Sequence, residues 1–258
     1  MVEVSKSTLE KLRASSRIKG TGIPVPKSPW YKIFLLTLPV LMRTLFRVRY
    51  RGVHRVPRKG AVILAANHTS HLDPISVIAG VRRPTHYLAK DGHFKKWFTA
   101  IVMKTTGQIR THRESGASDA LSRAADILGA DLAMGIFPEG TRSRRVNPPF
   151  LAEGKTGVAR LAASYPNVPV HPIAIIGSRD IMAPGDKVLR FWKPFVVTYG
   201  ESITWNNWLL HPKGGGLDEK AITSLIVLPD SERREAMRKL YRKFTDQLMG
   251  SIKSLGAP

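Results

Sequence analysis

Cysteine is absent from the 258 residues. That excludes disulfides, thiolate metal sites and a cysteine nucleophile, and it fits a reducing compartment. Acidic side chains are scarce: 19 Asp and Glu stand against 41 Lys and Arg, a formal charge of +22. Such a chain favours anionic partners, whether nucleic acid, anionic lipid or a phosphorylated ligand. A long hydrophobic run is also missing. The most apolar segment is 30–46, and its longest uncharged stretch, 33–42, is 10 residues. A spanning helix requires about 20, so no transmembrane span is expected. Residues 1–29 hold no apolar core, which excludes a secretory signal there. No Gly-x-Ser-x-Gly elbow surrounds Ser70, which discounts it as a nucleophile. No helix-turn-helix, RNA-recognition or zinc pattern accompanies the basic charge, so a nucleic-acid partner is not expected.

The charge that is present is unevenly placed. Residues 1–60 carry 14 Lys and Arg and two acids, Glu3 and Glu10, leaving +12 in less than a quarter of the chain. Within that segment Ser7-Thr8-Leu9-Glu10 has the form of a capping box and predicts a short basic helix. A Gly- and Pro-rich linker follows at 20–29. Residues 30–47 read as an apolar helix flanked by cations. Trp30 and Tyr31 at one end and Arg47 at the other suit a lipid headgroup boundary. Two readings stand for it: a core helix docked on the main domain, or a membrane-docking helix.

From residue 61 strands and helices alternate. Residues 61–66 form a continuous apolar run, as expected for a strand covered on both faces. Further strands are expected at 86–89, 132–137, 170–176 and 195–199. Helices are expected at 74–80, 94–105, 118–128 and 156–164. This alternation predicts an α/β domain with a largely parallel sheet. A last helix begins near a cap at Asp230 or Ser231, with Met237, Leu240, Tyr241, Phe244 and Leu248 on one face.

Two short motifs, each following an apolar strand, carry the chemistry. The first runs from Asn67 to Asp73. His68 and Asp73 are five positions apart, about 500° of helical rotation, so they meet only if His68 lies in the turn before the helix and the chain folds back. Pro74 suits that geometry, since proline favours the first helical position and disfavours helical backbone just before it. Asp73 then falls at the N-cap. Two readings follow: a helix cap beside a polar loop histidine, or a dyad in which Asp73 fixes the tautomer of His68 and leaves its other nitrogen free to take a proton. His71 is a rival base without the fold-back geometry. The second motif runs from Phe137 to Ser143. Gly140 permits a tight turn with exposed N–H groups, Arg142 offers a planar fork for phosphate oxygens, and Thr141 and Ser143 add hydroxyls. Glu139 is unexpected beside an anion; it could order Arg142 or bond a substrate hydroxyl.

In this order the two motifs resemble those of the glycerophospholipid acyltransferases. Asn67-His68-x4-Asp73 matches the family's His-x4-Asp signature, and 137–143 matches its Phe-Pro-Glu-Gly-Thr-Arg-Ser signature throughout. Lys90 through Gly107 to Arg113 is similar to the intermediate block, and 168–172 to the fourth, with Gly92 and His171 as departures. Lys155-Thr156-Gly157 and the tail at 244–252 fit as well. The branch acting on 1-acylglycerol 3-phosphate is the best match.

The resemblance implies a mixed, largely parallel sheet flanked by helices over 48–258, with a membrane-docking helical segment at 1–47. It implies transfer of a fatty acyl group from acyl-CoA or acyl-carrier protein to the sn-2 hydroxyl of lysophosphatidic acid, giving phosphatidic acid. His68 would be the general base oriented by Asp73. Glu139, Gly140, Thr141 and Arg142 would hold the glycerol-phosphate end, with Lys90 and Arg113 adding positive charge. No metal or other cofactor is implied. The expected place is the cytoplasmic face of an anionic membrane, monotopic or peripheral. Glycerol 3-phosphate, another lysophospholipid or a glycolipid are alternative acceptors; a non-catalytic membrane adaptor leaves both motifs unexplained.

Overall fold

A computed structural model describes residues 4–26, 28–90, 103, 106, 108–111, 116–186 and 188–258. In chain order the elements are α1 (Lys6–Ser16), α2 (Trp30–Thr44), β1 (Arg49–Arg51), β2 (Val62–Ala66), α3 (Asp73–Val81), β3 (Thr85–Lys90), β4 (Ile109–Thr111) and α4 (Gly116–Gly129). They continue with β5 (Ala133–Ile136), α5 (Gly157–Ser164), β6 (Val170–Ile176), α6 (Ser178–Ile181), β7 (Val196–Tyr199), α7 (Trp205–Leu210), α8 (Glu219–Val227) and α9 (Asp230–Ser254). The helix expected at 94–105 lies almost wholly outside the described residues.

The strands form one sheet in the order β1-β7-β6-β2-β5-β3-β4. Among the described residues every pairing is parallel except β6 with β7. β1 and β7 therefore run opposite to the rest. The mixed, largely parallel α/β sheet is as expected, with β1 and β4 added at its edges.

Alternation along each strand divides the apolar residues between two cores. On β2, Val62, Leu64 and Ala66 face one layer, while Ile63 and Ala65 face the other. The first layer holds α2, α3 and Ile181 of α6; the second holds α1, α4, α5, α7, α8 and α9. Burial on both faces is why β2 reads as an unbroken apolar run and β6 as one broken only by His171.

The N-terminal helices belong to these layers. Leu12 of α1 is buried in one core, and Leu38 and Met42 of α2 in the other. The capping expectation shifts: Ser5, not Ser7, caps α1, accepting the Thr8 N–H at 3.2 Å. Glu219 of α8 decides this, since its carboxylate receives the Ser5 N–H and the Thr8 hydroxyl. At α9, Pro229 holds the N-cap position with no side-chain cap bond, and Asp230 pairs instead with Arg233 and Arg234. The expected apolar face of α9 does pack inward through Met237, Phe244 and Leu248. No helix among the described residues is long and apolar enough to cross a membrane.

β2 and β5 are neighbours, yet the chain leaves β2 for α3 on one face and leaves β5 for α5 on the other. Connections that part in this way open a crevice at the carboxyl ends of the two strands. Both sequence motifs fall there.

Candidate active site

The first motif begins by extending the sheet. The buried side chain of Asn67 donates to Ile175 O at 2.9 Å and accepts the Ile175 N–H at 2.7 Å. This side-chain copy of a strand pairing fixes the end of β2 against β6. The chain then turns, and Asp73 folds back as its spacing predicts. Asp73 is fully buried and caps no helix: Leu72 holds the N-cap position of α3. One carboxylate oxygen of Asp73 accepts the Thr69 and Ser70 N–H groups, each at 2.7 Å. The same oxygen takes His68 Nδ1 at 2.9 Å. The other oxygen accepts the Ser178 hydroxyl at 2.6 Å.

Four donors hold this buried carboxylate in place. The bond to Nδ1 selects the tautomer that leaves Nε2 of His68 as the basic nitrogen. The His68 ring lies on Phe137, centroids 3.9 Å apart and planes 10° from parallel. Phe137 in turn stacks on Tyr87 at 5.3 Å. The imidazole is thus held by a hydrogen bond at one edge and a ring across its face, with 16% of its side-chain surface open.

The second motif grips the backbone of the first. The His68 N–H donates to Glu139 Oε1 at 2.7 Å, and the His68 carbonyl accepts the Ser143 N–H at 2.9 Å. Glu139 Oε2 accepts the Ala152 N–H at 3.0 Å. Glu139 is only 3% exposed, so it has little surface to offer a substrate, and its oxygens hold main chain rather than Arg142. Burial pushes its carboxyl up to about 7 despite the two backbone donors.

Gly140 adopts a left-handed φ of +73°. Its N–H closes a turn onto Phe137 O at 2.9 Å and is not the open anion donor expected. The Lys155 side chain lies over Gly140, where a Cβ would come within 2.9 Å of Nζ. Arg142 is half-buried and bonds to His71 Nε2 across the crevice. His71 thus meets the guanidinium. Burial draws the Arg142 guanidinium below its ordinary value, and Asp73 opposes that shift. Thr141 is exposed at the rim. The Lys90 side chain and Arg113 lie outside the described residues.

Two contributors escaped the reading of the sequence. Ser178 lies 105 positions from Asp73 in a stretch with no motif of its own. Phe137 was legible as a strand end, not as the ring beneath His68. No group of three or more His, Cys, Asp and Glu suited to a metal occurs among the described residues.

The chain has relatives. A family model described as Acyltransferase matches residues 47–176, half of the chain. A 1-acyl-sn-glycerol-3-phosphate acyltransferase of Borreliella burgdorferi is 32% identical over 124 residues, covering 45% of this chain and 50% of the relative. A probable enzyme of the same name from Mycoplasma pneumoniae is 30% identical over 168 residues, covering 61% and 59%. The chain thus spans between half and three-fifths of the length of these curated relatives. Among solved structures, the acyltransferase PlsC of Thermotoga maritima aligns with a TM-score of 0.55 over 84% of this chain and 80% of that one. Its sequence identity is 18%, so that likeness concerns the fold. With the family model spanning both motifs, the strands that carry them and α3 and α4 between, the chain belongs to the acyltransferase family.

Proposed function

We propose that this acyltransferase moves a fatty acyl group from a thioester, acyl-CoA or acyl-carrier protein, to the sn-2 hydroxyl of 1-acylglycerol 3-phosphate. The observation that carries the reading is the pairing of His68 Nδ1 with the saturated Asp73 carboxylate. It leaves Nε2 to take the hydroxyl proton as the oxygen attacks the thioester carbonyl carbon. Asp73 stabilises the imidazolium that forms. As the tetrahedral adduct collapses, the C–S bond breaks and the departing sulfur recovers the proton from His68. No covalent acyl-enzyme is needed, which agrees with the absence of cysteine. A positioned histidine base contributes about 10²–10⁴ in rate. The names of the curated relatives support the same acceptor.

Arg142 is the cation assigned to the acceptor phosphate, with Thr141 at the rim and Lys90 and Arg113 as further positive charge. The test is acyl transfer to 1-acylglycerol 3-phosphate by folded, purified protein. His68→Ala and Asp73→Asn should each abolish most of the rate. Near-normal transfer by either variant sinks the assignment. Arg142→Ala should chiefly raise the acceptor KM; an unchanged KM removes its phosphate role. A panel of glycerol 3-phosphate, other lysophospholipids and glycolipids with one labelled donor separates the acceptors.

A lipid acceptor and product place the enzyme on a membrane, at its cytoplasmic face where a soluble donor is present. α2 supports this: its inner face is buried, while Trp30, Ile33, Leu36 and Val40 are exposed on its outer face. Basic residues beside an anionic leaflet contribute about 1 kcal/mol each. Leu36→Ser with Val40→Ser should weaken binding to anionic liposomes without changing the melting temperature. Undiminished binding would remove α2 from the docking surface.

A further inference from the structure

The outer face of α2 is not the only large apolar surface left open. The segment between α6 and β7 exposes Val188, Leu189, Phe191 and Trp192, the last at 54%. It is a built loop. The Arg190 N–H donates to Ile181 O at 3.0 Å, and the Arg190 guanidinium pairs with Asp186 at 2.9 Å. Ile181 and Phe195 at its two ends are buried in the core shared with α2. The Phe191 and Trp192 rings meet edge to face with centroids 5.4 Å apart. A loop so held has its rings outward by construction. Both aromatic rings leave about half of their surface open, and a cluster of exposed apolar side chains of this kind marks a contact surface.

Its position is set by the sheet. β7 is antiparallel to β6, so its start lies at the carboxyl end of β6, the edge that carries His68. The Ser70 hydroxyl, inside the first motif, donates to Met182 O at 2.8 Å. The loop therefore leaves directly from the catalytic turn. At its other end Phe195 O accepts the Arg49 N–H, while Val48 N–H returns to Met42 O of α2. Trp192 and Leu45, both exposed, lie within three or four residues of that junction, on the order of 10 Å of chain each. α2 spans the height of the sheet, because at its other end the Tyr31 hydroxyl holds the start of β3. Both apolar surfaces therefore reach the edge where the crevice opens.

The charge around them is predominantly positive, with Asp180 and Asp186 the nearby acids. Arg43 and Arg47 flank the end of α2, and Lys193 adjoins Trp192. Arg144 and Arg145 are exposed beside Val146, itself 86% exposed on the loop after β5. Of the two nearby acids, Asp186 is neutralised by Arg190. Aromatic rings bordered by cations suit the headgroup boundary of an anionic leaflet. A second copy of a chain carrying +22 would bring two basic rims together, which costs energy.

We propose that the 188–192 loop is a second membrane contact, which with α2 seats the His68 edge of the sheet against an anionic leaflet. This rests on the lipid-acceptor reading for its purpose, and not for its measurement. The lack of cysteine makes the test clean: Val188→Cys gives a single site for an environment-sensitive fluorophore. With vesicles containing about one-third anionic lipid, the label should shift to the blue and be quenched by brominated acyl chains. A label at Ser231→Cys, exposed at the start of α9 in the other layer, should do neither. A label at 188 as indifferent as the one at 231 overturns the proposal. So does a blue shift that grows with protein concentration in the absence of vesicles, which would make the occupant a second copy.

Phe191→Ser with Trp192→Ser should weaken vesicle binding about tenfold or more at an unchanged melting temperature. The double variant should keep turnover of a monomeric short-chain acceptor and lose turnover of a long-chain acceptor in vesicles. Loss of both turnovers at an unchanged melting temperature would mean the loop serves the crevice itself, against the proposal. A wild-type protein inactive on either acceptor would sink the acceptor assignment, while the labelling result would still decide the docking.

Discussion

Glu139 accepts the backbone N–H of His68 at 2.7 Å. This one bond ties the motif that carries the proposed base to the motif expected to bind the acceptor. It makes Glu139 a clamp on the turn that holds His68. Glu139→Gln keeps the shape but sets an NH2 donor against one of two backbone N–H donors. Stability should fall by about 1–3 kcal/mol, measured by urea unfolding. kcat should fall with it as His68 loses its fixed backbone, while the acceptor KM stays nearly constant. A variant with raised KM and intact kcat would return Glu139 to the substrate.

The same carboxyl makes a pH-dependent contribution. Its value in the folded protein is raised to about 7, above the ordinary glutamate range. The folded state then holds a proton that the unfolded chain has released. Its stability contribution is fully present below the unfolded value and is lost as pH rises through about 7. The stability difference between wild type and Glu139→Gln should therefore shrink between about pH 4.5 and 7.5, by at most about 3 kcal/mol. All other titrating groups are common to the two proteins and cancel. Parallel stability curves across that range would show that the two N–H donors keep Glu139 ionised.

Ser178 holds the oxygen of Asp73 that His68 does not use. Its hydroxyl also lies 3.2 Å from the Thr69 hydroxyl, and it reaches His68 through Asp73. Ser178→Ala leaves that oxygen without its side-chain donor in a fully buried place, a loss of about 1–3 kcal/mol. kcat should drop by about tenfold while KM for both substrates holds. An unchanged kcat in a destabilised variant would make the bond structural only.

What the sequence disclosed follows from how local each signal is. β2 and β6 were legible because both faces are buried, so every residue except His171 is apolar. β1 was not: Arg-Tyr-Arg on an edge, with its arginines exposed, has no apolar signature, and pairing to β7 alone makes it a strand. Ser7 looked like a cap because Glu10 follows at the right spacing, yet Glu219, more than 200 positions away, fixed the helix start at Ser5. At the site, His68 and Asp73 are five residues apart and their meeting could be reasoned from a turn and a proline. The contacts of Ser178, of the Phe137 ring and of Glu139 with the backbone depend on β5 and β6 flanking β2. No short pattern encodes that.

Gly135 shows how far such packing reaches. It lies in the middle of β5, where a glycine weakens a strand unless something needs the space. The Tyr87 ring needs it: a Cβ on Gly135 would stand 2.1 Å from a Tyr87 ring carbon. Tyr87 is buried and stacks on Phe137, which stacks on His68. The ring cannot swing into solvent, so Gly135→Ala should displace the stack rather than one side chain. Overpacking of this kind costs about 1–3 kcal/mol, visible as a lowered melting temperature. The loss in kcat should exceed that of a control of equal destabilisation elsewhere in the second core, such as Ile222→Val on α8. Pairing Gly135→Ala with Tyr87→Phe leaves the clash and should not restore the rate; pairing it with Tyr87→Leu removes the ring and should recover much of the stability but not the stacked imidazole. Full activity in Gly135→Ala at a lowered melting temperature would separate the stack beneath His68 from catalysis.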